Sequence, residues 1–175
     1  MLRGEFVRTD FKSYLYWREM GFPDASVGDA FGSALIRSGE GHVILGRQRE
    51  GNINSGLTYL PGGFIDARDV GADGRIDIIT SVLREVEEET GLPAGGLIRR
   101  PGFYVTFAGP LISIAVELVS IAPAEVLRAA MLAHMAADPQ SELTDAVIVR
   151  SAADLSGLAM PDYARILFAH IFSTR

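Results

Sequence analysis

The stretch from Asp77 to Leu92 constrains this chain most, because an apolar stripe and a row of carboxylates must share one helix there. Ile78, Ile79, Val82, Leu83 and Val86 recur at the spacing of a single helix face. Asp77 is suited to an N-cap, and Gly91, with Pro93 soon after, is suited to a stop. At about 100° per residue, Glu85, Glu88 and Glu89 fall within an arc of roughly 100°. That arc lies beside the apolar stripe rather than opposite it, so the three carboxylates stand at the rim of a core, where a cleft can open. Glu87 points elsewhere and reads as solvated surface.

Glu85, Glu88 and Glu89 are i, i+3 and i+4 neighbours and repel one another. They also lie near the helix C-terminus, the unfavourable end of the macrodipole for anions. The ordinary reading of a Glu-rich run is a polar helix face. A hard divalent cation gives this particular arrangement a purpose, because Mg²⁺ takes carboxylate oxygens and keeps positions open for water and phosphate. Arg84, four residues before Glu88, is placed to hold a carboxylate by a charge-assisted hydrogen bond.

The rest of the chain must supply the core. Runs at 30–36 and 42–46, separated by Ser38-Gly39-Glu40-Gly41, read as a hairpin. Residues 57–60 read as a brief strand stopped by Pro61-Gly62-Gly63, and 64–76 as an exposed loop. Two strands are expected in 102–121 around Gly109-Pro110, a helix over 123–137, a strand over 146–149 and a helix over 161–172. This is an α/β pattern in one domain, which the 175 residues and 48% hydrophobic content suit. The aromatic arm of residues 1–27 is expected to pack on the domain, or to form a wall of the substrate pocket or a dimer contact.

Charge and composition narrow the function. A net charge of −6 and a pI near 5.0 argue against a nucleic-acid binder, which needs basic surface. They leave room for a small phosphorylated ligand whose charge a metal offsets. The absence of cysteine excludes disulfides, thiolate metal sites and a cysteine nucleophile. No segment reaches the length of a membrane span, and the N-terminus lacks a signal-peptide apolar region, so a soluble cytoplasmic protein is expected. His42, His134 and His170 have no metal-ligand spacing and read as structural or surface residues.

The run Arg84-Glu85-Val86-Glu87-Glu88-Glu89-Thr90-Gly91-Leu92 resembles the second half of the Nudix hydrolase signature, G-x5-E-x7-R-E-U-x-E-E-x-G-U, at every fixed position. Gly62-Gly63 looks like the turn that opens it. The signature has thirteen residues between its glycine and its arginine, whereas twenty separate Gly63 from Arg84, so the loop carries about seven extra residues. Counted forward from Gly63, the first signature glutamate falls on Asp69; counted back from Arg84, it falls on Ile76. That leaves the roles of Asp66, Asp69, Asp73 and Asp77 open.

The resemblance covers about residues 28–173 and implies an α/β/α sandwich around a mixed sheet. It implies a metal site of Glu85, Glu88, Glu89 and the Gly63 carbonyl, holding Mg²⁺ with Mn²⁺ as a substitute. The implied reaction is in-line attack of water on a diphosphate linkage of a nucleotide substrate such as ADP-ribose, a dinucleotide or a nucleotide sugar. Glu85 or Glu89 would be the general base, with Glu142 as a later-loop alternative and Arg84 as the supporting cation. Arg47 could contact phosphate and Tyr59 could line a base or sugar pocket, although surface exposure and core packing are the simpler readings of each. The competing reading is a catalytically silent module of the same fold that senses such a ligand. A homodimer through the aromatic arm is a reasonable assembly.

Overall fold

A computed structural model describes residues 4–51 and 53–173. Its centre is β1 (Asp29–Arg37), in which Ala34, Leu35 and Ile36 are wholly buried. A strand that is apolar at consecutive positions needs cover on both faces. β1 pairs in parallel with β6 (Leu111–Val119), in register from Asp29 opposite Leu111 to Arg37 opposite Val119. Its end pairs antiparallel with β2 (Val43–Gln48) through the expected hairpin. On one flank, β2 pairs antiparallel with β3 (Thr58–Tyr59) and β7 (Leu143–Val149). On the other, β6 takes β4 (Ile98–Arg99) and β5 (Tyr104–Ala108), both antiparallel. The described residues thus form a seven-stranded mixed sheet.

Side-chain alternation along the strands divides the core in two. Ala34, Ile36, Ile44, Val116 and Leu118 pack against α2 (Ile78–Thr90) and α3 (Ala124–Ala137), which contribute Val82, Val86, Leu127 and Met131. Leu35, Val43, Leu45 and Ala115 pack against α4 (Asp162–Ser173), which contributes Tyr163, Leu167 and Phe168. The result is the α/β/α sandwich that the resemblance implied. Among the described residues, no helix is long and apolar enough to cross a membrane.

Several elements differ from the sequence expectation. The arm contains a helix, α1 (Phe11–Glu19), with no buried residue and hence no apolar period to reveal it. Its start is set by Asp10, whose carboxylate accepts from the Ser13 amide at 2.9 Å. The first three residues of the arm lie outside the described residues. Strand β7 begins at Leu143 rather than Ala146. Its polar start, Thr144-Asp145, pairs with β2 across a register shift and carries no apolar run. Strand β4 is two residues long and exposed, too short to show a period.

Candidate active site

Helix α2 is fixed at both ends by the residues its sequence suggested. The Asp77 carboxylate accepts from the Ile79 and Thr80 amides, each at 3.1 Å. Gly91 closes the helix with φ 68° and returns its amide to the Glu87 carbonyl. A side chain at Gly91 would strike the His134 ring. His134 reaches from α3, with Nε2 2.9 Å from the Glu88 carbonyl. His134 is therefore structural, and it ties the carboxylate end of α2 to the neighbouring helix. Glu87 is exposed as expected but not idle: its carboxylate accepts from the Ala94 amide at 2.7 Å and anchors the turn after α2.

The Pro61-Gly62-Gly63 turn passes between β1 and α2. The Pro61 carbonyl accepts from the Ala34 amide at 2.7 Å, and the Gly63 carbonyl from the Gly32 amide at 3.2 Å. Gly62 has φ 154°, and a side chain there would meet the backbone of Gly32. At Gly63 a side chain would meet the Glu85 carboxylate. Two glycines in a row thus let the backbone reach both neighbours. The Gly62 amide donates to Glu89 Oε2 at 2.9 Å. The Gly63 carbonyl has one lone pair beyond its bond to Gly32.

Arg84 is the hub of the site. Its Nη1 donates to Glu85 Oε1 at 2.5 Å and lies 3.6 Å from Glu88 Oε2. Its Nη2 lies 3.1 Å from Asp69 Oδ2 and 3.9 Å from Asp66. Asp69 is 3% exposed, which corrects the expectation of a loop exposed throughout. Its carboxylate also accepts from the Asp66 amide at 2.9 Å, within a short 3₁₀ turn over Ala67–Asp69.

The position of Asp69 explains the long loop. The Asp77 amide donates to the Asp69 carbonyl at 2.8 Å, and Val70 pairs with Ile76 as an antiparallel bridge. The seven residues Val70–Ile76 therefore leave and rejoin the loop at one point. Gly63 to Asp69 keeps the signature spacing, and the insertion lies wholly behind it. The forward count is the physical one. Asp69 was the residue that spacing alone left open, and that forward count was the signal for it.

Burial and mutual repulsion set the electrostatics. Burial, then the charges of Glu142, Glu85 and Glu88, push the Glu89 carboxyl up to about 8, against the opposing bond from Gly62. Burial also raises Glu85, opposed by Arg84. Glu142 comes within electrostatic reach of both from the loop before β7, and it accepts a long bond of 3.4 Å from Gln48 Nε2. Tyr59 lies nearby. Its hydroxyl accepts from Asn54 at 3.2 Å and is raised to about 12, mainly by burial. Arg47 turns to Asp145, 3.8 Å away on β7. Glu85, Glu88, Glu89, Arg84, Gly63 and Glu142 thus share one neighbourhood without meeting at a single point, Tyr59 lies nearby, and Arg47 is engaged elsewhere.

The donor set suits a hard divalent cation: carboxylate and carbonyl oxygens, with a buried carboxylate whose ionisation is opposed by its neighbours. Among the described residues no three acidic or imidazole groups already converge on one point. Arg84 Nη1 stands between two of these carboxylates, bonded to Glu85 and 3.6 Å from Glu88.

The NUDIX domain model matches residues 28–126. A search of curated proteins gave no match. Among solved structures, a Nudix hydrolase from M. smegmatis, RenU, aligns at TM-score 0.57 and 18% identity, covering 85% of this chain and 84% of that one. The MutT protein from Methanosarcina mazei aligns at TM-score 0.56 and 23% identity, covering 85% and 94%. A bifunctional NMN adenylyltransferase/ADP ribose pyrophosphatase from Francisella tularensis aligns at TM-score 0.60 and 15% identity, covering 93% of this chain and 46% of that one. At these identities the structural likeness is one of fold. The family model spans more than half of the chain and includes the whole stretch from the Gly62-Gly63 turn to Leu92, so the chain belongs to the Nudix family.

Proposed function

We propose that the chain is a divalent-metal-dependent pyrophosphohydrolase that cleaves the diphosphate linkage of a nucleoside diphosphate derivative, such as ADP-ribose, a dinucleotide or a nucleotide sugar. The observation that carries this reading is the gathering of Glu85, Glu89 and Glu142 beside the Gly62-Gly63 turn, with Arg84 bonded to Glu85. Glu85, Glu88, Glu89 and the Gly63 carbonyl would hold Mg²⁺, with Mn²⁺ as a substitute. When bound, the cation neutralises the diphosphate and stabilises charge on the departing phosphate.

The chain's own residues supply the remainder. Water attacks one phosphorus in line, and the bond from that phosphorus to the bridging oxygen breaks. The bridging oxygen leaves with the other phosphate. A carboxylate takes the proton from the attacking water. Glu89 and Glu85 are the first candidates for this base, and Glu142 is the alternative from the loop before β7. Arg84 acts through Glu85 and Glu88 by fixing their orientation. Tyr59 lies near Glu89 and Glu142, where it would meet the base or sugar of the substrate. Arg47 serves as a phosphate contact only if it releases Asp145.

The test is incubation with Mg²⁺ and a panel of ADP-ribose, dinucleoside polyphosphates, nucleotide sugars, nucleoside triphosphates and coenzyme A, with phosphate-ester release followed. Glu88→Gln and Glu89→Gln are expected to reduce turnover by about 100-fold or more, the scale of losing groups that act in the transition state. Turnover of none of these compounds, or full turnover by both variants, overturns the reading. Tight binding without turnover supports the ligand-sensing alternative.

A further inference from the structure

Phe64 follows Gly63 directly, and the residue is 43% exposed. The turn backbone is close enough to α2 that a side chain on Gly63 would strike the Glu85 carboxylate. Adjacent Cα atoms are about 3.8 Å apart, so the Phe64 Cα lies within about 8 Å of that carboxylate. The backbone of Phe64 is held by a bridge to Phe31 on β1. Its ring is propped from one helix: Tyr14 meets it at 4.9 Å and 75°, and Phe11 at 6.2 Å and 73°. Phe11 and Tyr14 lie at 23° to each other, so α1 presents both rings as one surface.

Helix α1 is fastened to the domain at two further points. The Tyr14 hydroxyl donates to Asp29 at 3.0 Å at the start of β1. Arg18 donates to the Ile53 carbonyl at 3.3 Å and reaches Asn54 at 3.5 Å, and Asn54 in turn donates to Tyr59. These bonds make a continuous wall from α1 through the loop after β2 to β3. An exposed aromatic residue that is backed by other rings and follows the Gly62-Gly63 turn beside Glu85 and Glu89 is suited to stacking a flat ring.

We propose that Phe64, supported by Phe11 and Tyr14 of the N-terminal helix, is the stacking platform for the nucleobase of the substrate, and that it makes the enzyme prefer base-bearing diphosphates. This rests on the pyrophosphohydrolase reading and extends it to residues outside the signature. A ribose carries the base from phosphates seated at Glu85 and Glu89 out to the ring of Phe64. Arg18 is a positioning residue that holds α1 to the loop.

The test compares kcat/KM for ADP-ribose with that for ribose 5-diphosphate, which lacks a base, in wild type, Phe64→Ala, Phe64→Tyr and Phe11→Ala. Stacking is worth about 1–3 kcal/mol, so Phe64→Ala is expected to lower the preference for ADP-ribose by about 5- to 150-fold, mainly through KM. Phe64→Tyr is expected to restore it. Binding is read separately through Trp17, the single tryptophan, 6.3 Å from the Tyr14 ring. Titration with AMP is expected to change its fluorescence and ribose 5-phosphate to leave it unchanged. Equal use of both diphosphates by wild type, or an unchanged preference in Phe64→Ala, overturns the platform and leaves the hydrolase reading intact. Phe64-dependent AMP binding without turnover of any diphosphate upholds the platform and defeats the hydrolase reading.

Discussion

A carboxylate that stands buried beside Glu85, Glu88 and Glu142 costs free energy to ionise, and Glu89 is in that position. Its folded pKa of about 8 exceeds the ordinary glutamate value, so between the two the folded protein binds more protons than the unfolded chain. Stability without metal therefore falls as pH rises through that window. The wild-type protein in chelator is expected to lose thermal stability between about pH 5 and about pH 8, relative to Glu89→Gln. The difference between the two proteins isolates Glu89 from carboxylates such as Asp66 and Asp77, whose pKa is lowered and whose contribution appears at lower pH. Melting curves at several pH values check this; parallel profiles for the two proteins would contradict it.

Asp69 supports a second prediction at the same scale. Asp69→Asn keeps the shape and removes the charge facing Arg84. It is expected to lower stability by about 1–3 kcal/mol and to reduce activity, because Arg84 then loses the partner that orients it toward Glu85 and Glu88. Chemical denaturation and steady-state rates read the two effects. The contrast between these residues shows what the sequence could reveal. Glu85, Glu88 and Glu89 are legible because helix geometry alone places them together. Asp69 is reached only by the forward count from Gly63, and its pairing with Arg84 is not legible, because that partner is fifteen positions away across an insertion.

That insertion is an element with a testable boundary. Because the Asp77 amide already bonds to the Asp69 carbonyl, deleting Val70–Ile76 and joining Asp69 to Asp77 restores the signature spacing. The shortened protein is expected to fold cooperatively and to keep activity within about tenfold, on the general tolerance of surface loops to length change. Collapse of activity with folding intact, seen by circular dichroism and rate measurement together, would place the insertion inside the site. The other elements divide by how they are stabilised. The core strands and α2, α3 and α4 show their apolar period or run in the sequence, and each appears near its expected place. Helix α1 buries nothing and is held by Asp10, Tyr14 and Arg18 through local and long-range polar contacts, so no hydrophobic pattern announces it.

At the scale of the whole molecule, the sandwich brings two segments far apart in sequence to the C-terminal half of α2. The parallel β1–β6 pair fixes the sheet centre, the turn after β3 crosses β1 to reach α2, and the loop before β7 brings Glu142 within electrostatic reach of Glu85 and Glu89. The α/β class and the site helix were readable from local pattern. The approach of Glu142, the departure of Arg47 toward Asp145 and the wall built by α1 depend on tertiary packing, which no local pattern encodes. In the proposed reaction, water attacks phosphorus at the α2 carboxylates when a divalent cation is present. Its most direct test is hydrolysis of ADP-ribose in oxygen-18 water with Mg²⁺, followed by mass spectrometry of the products. The expected products are AMP and ribose 5-phosphate, with the label in the phosphate of one of them, and no products in chelator. Label on a sugar carbon, or undiminished cleavage in chelator, would contradict it.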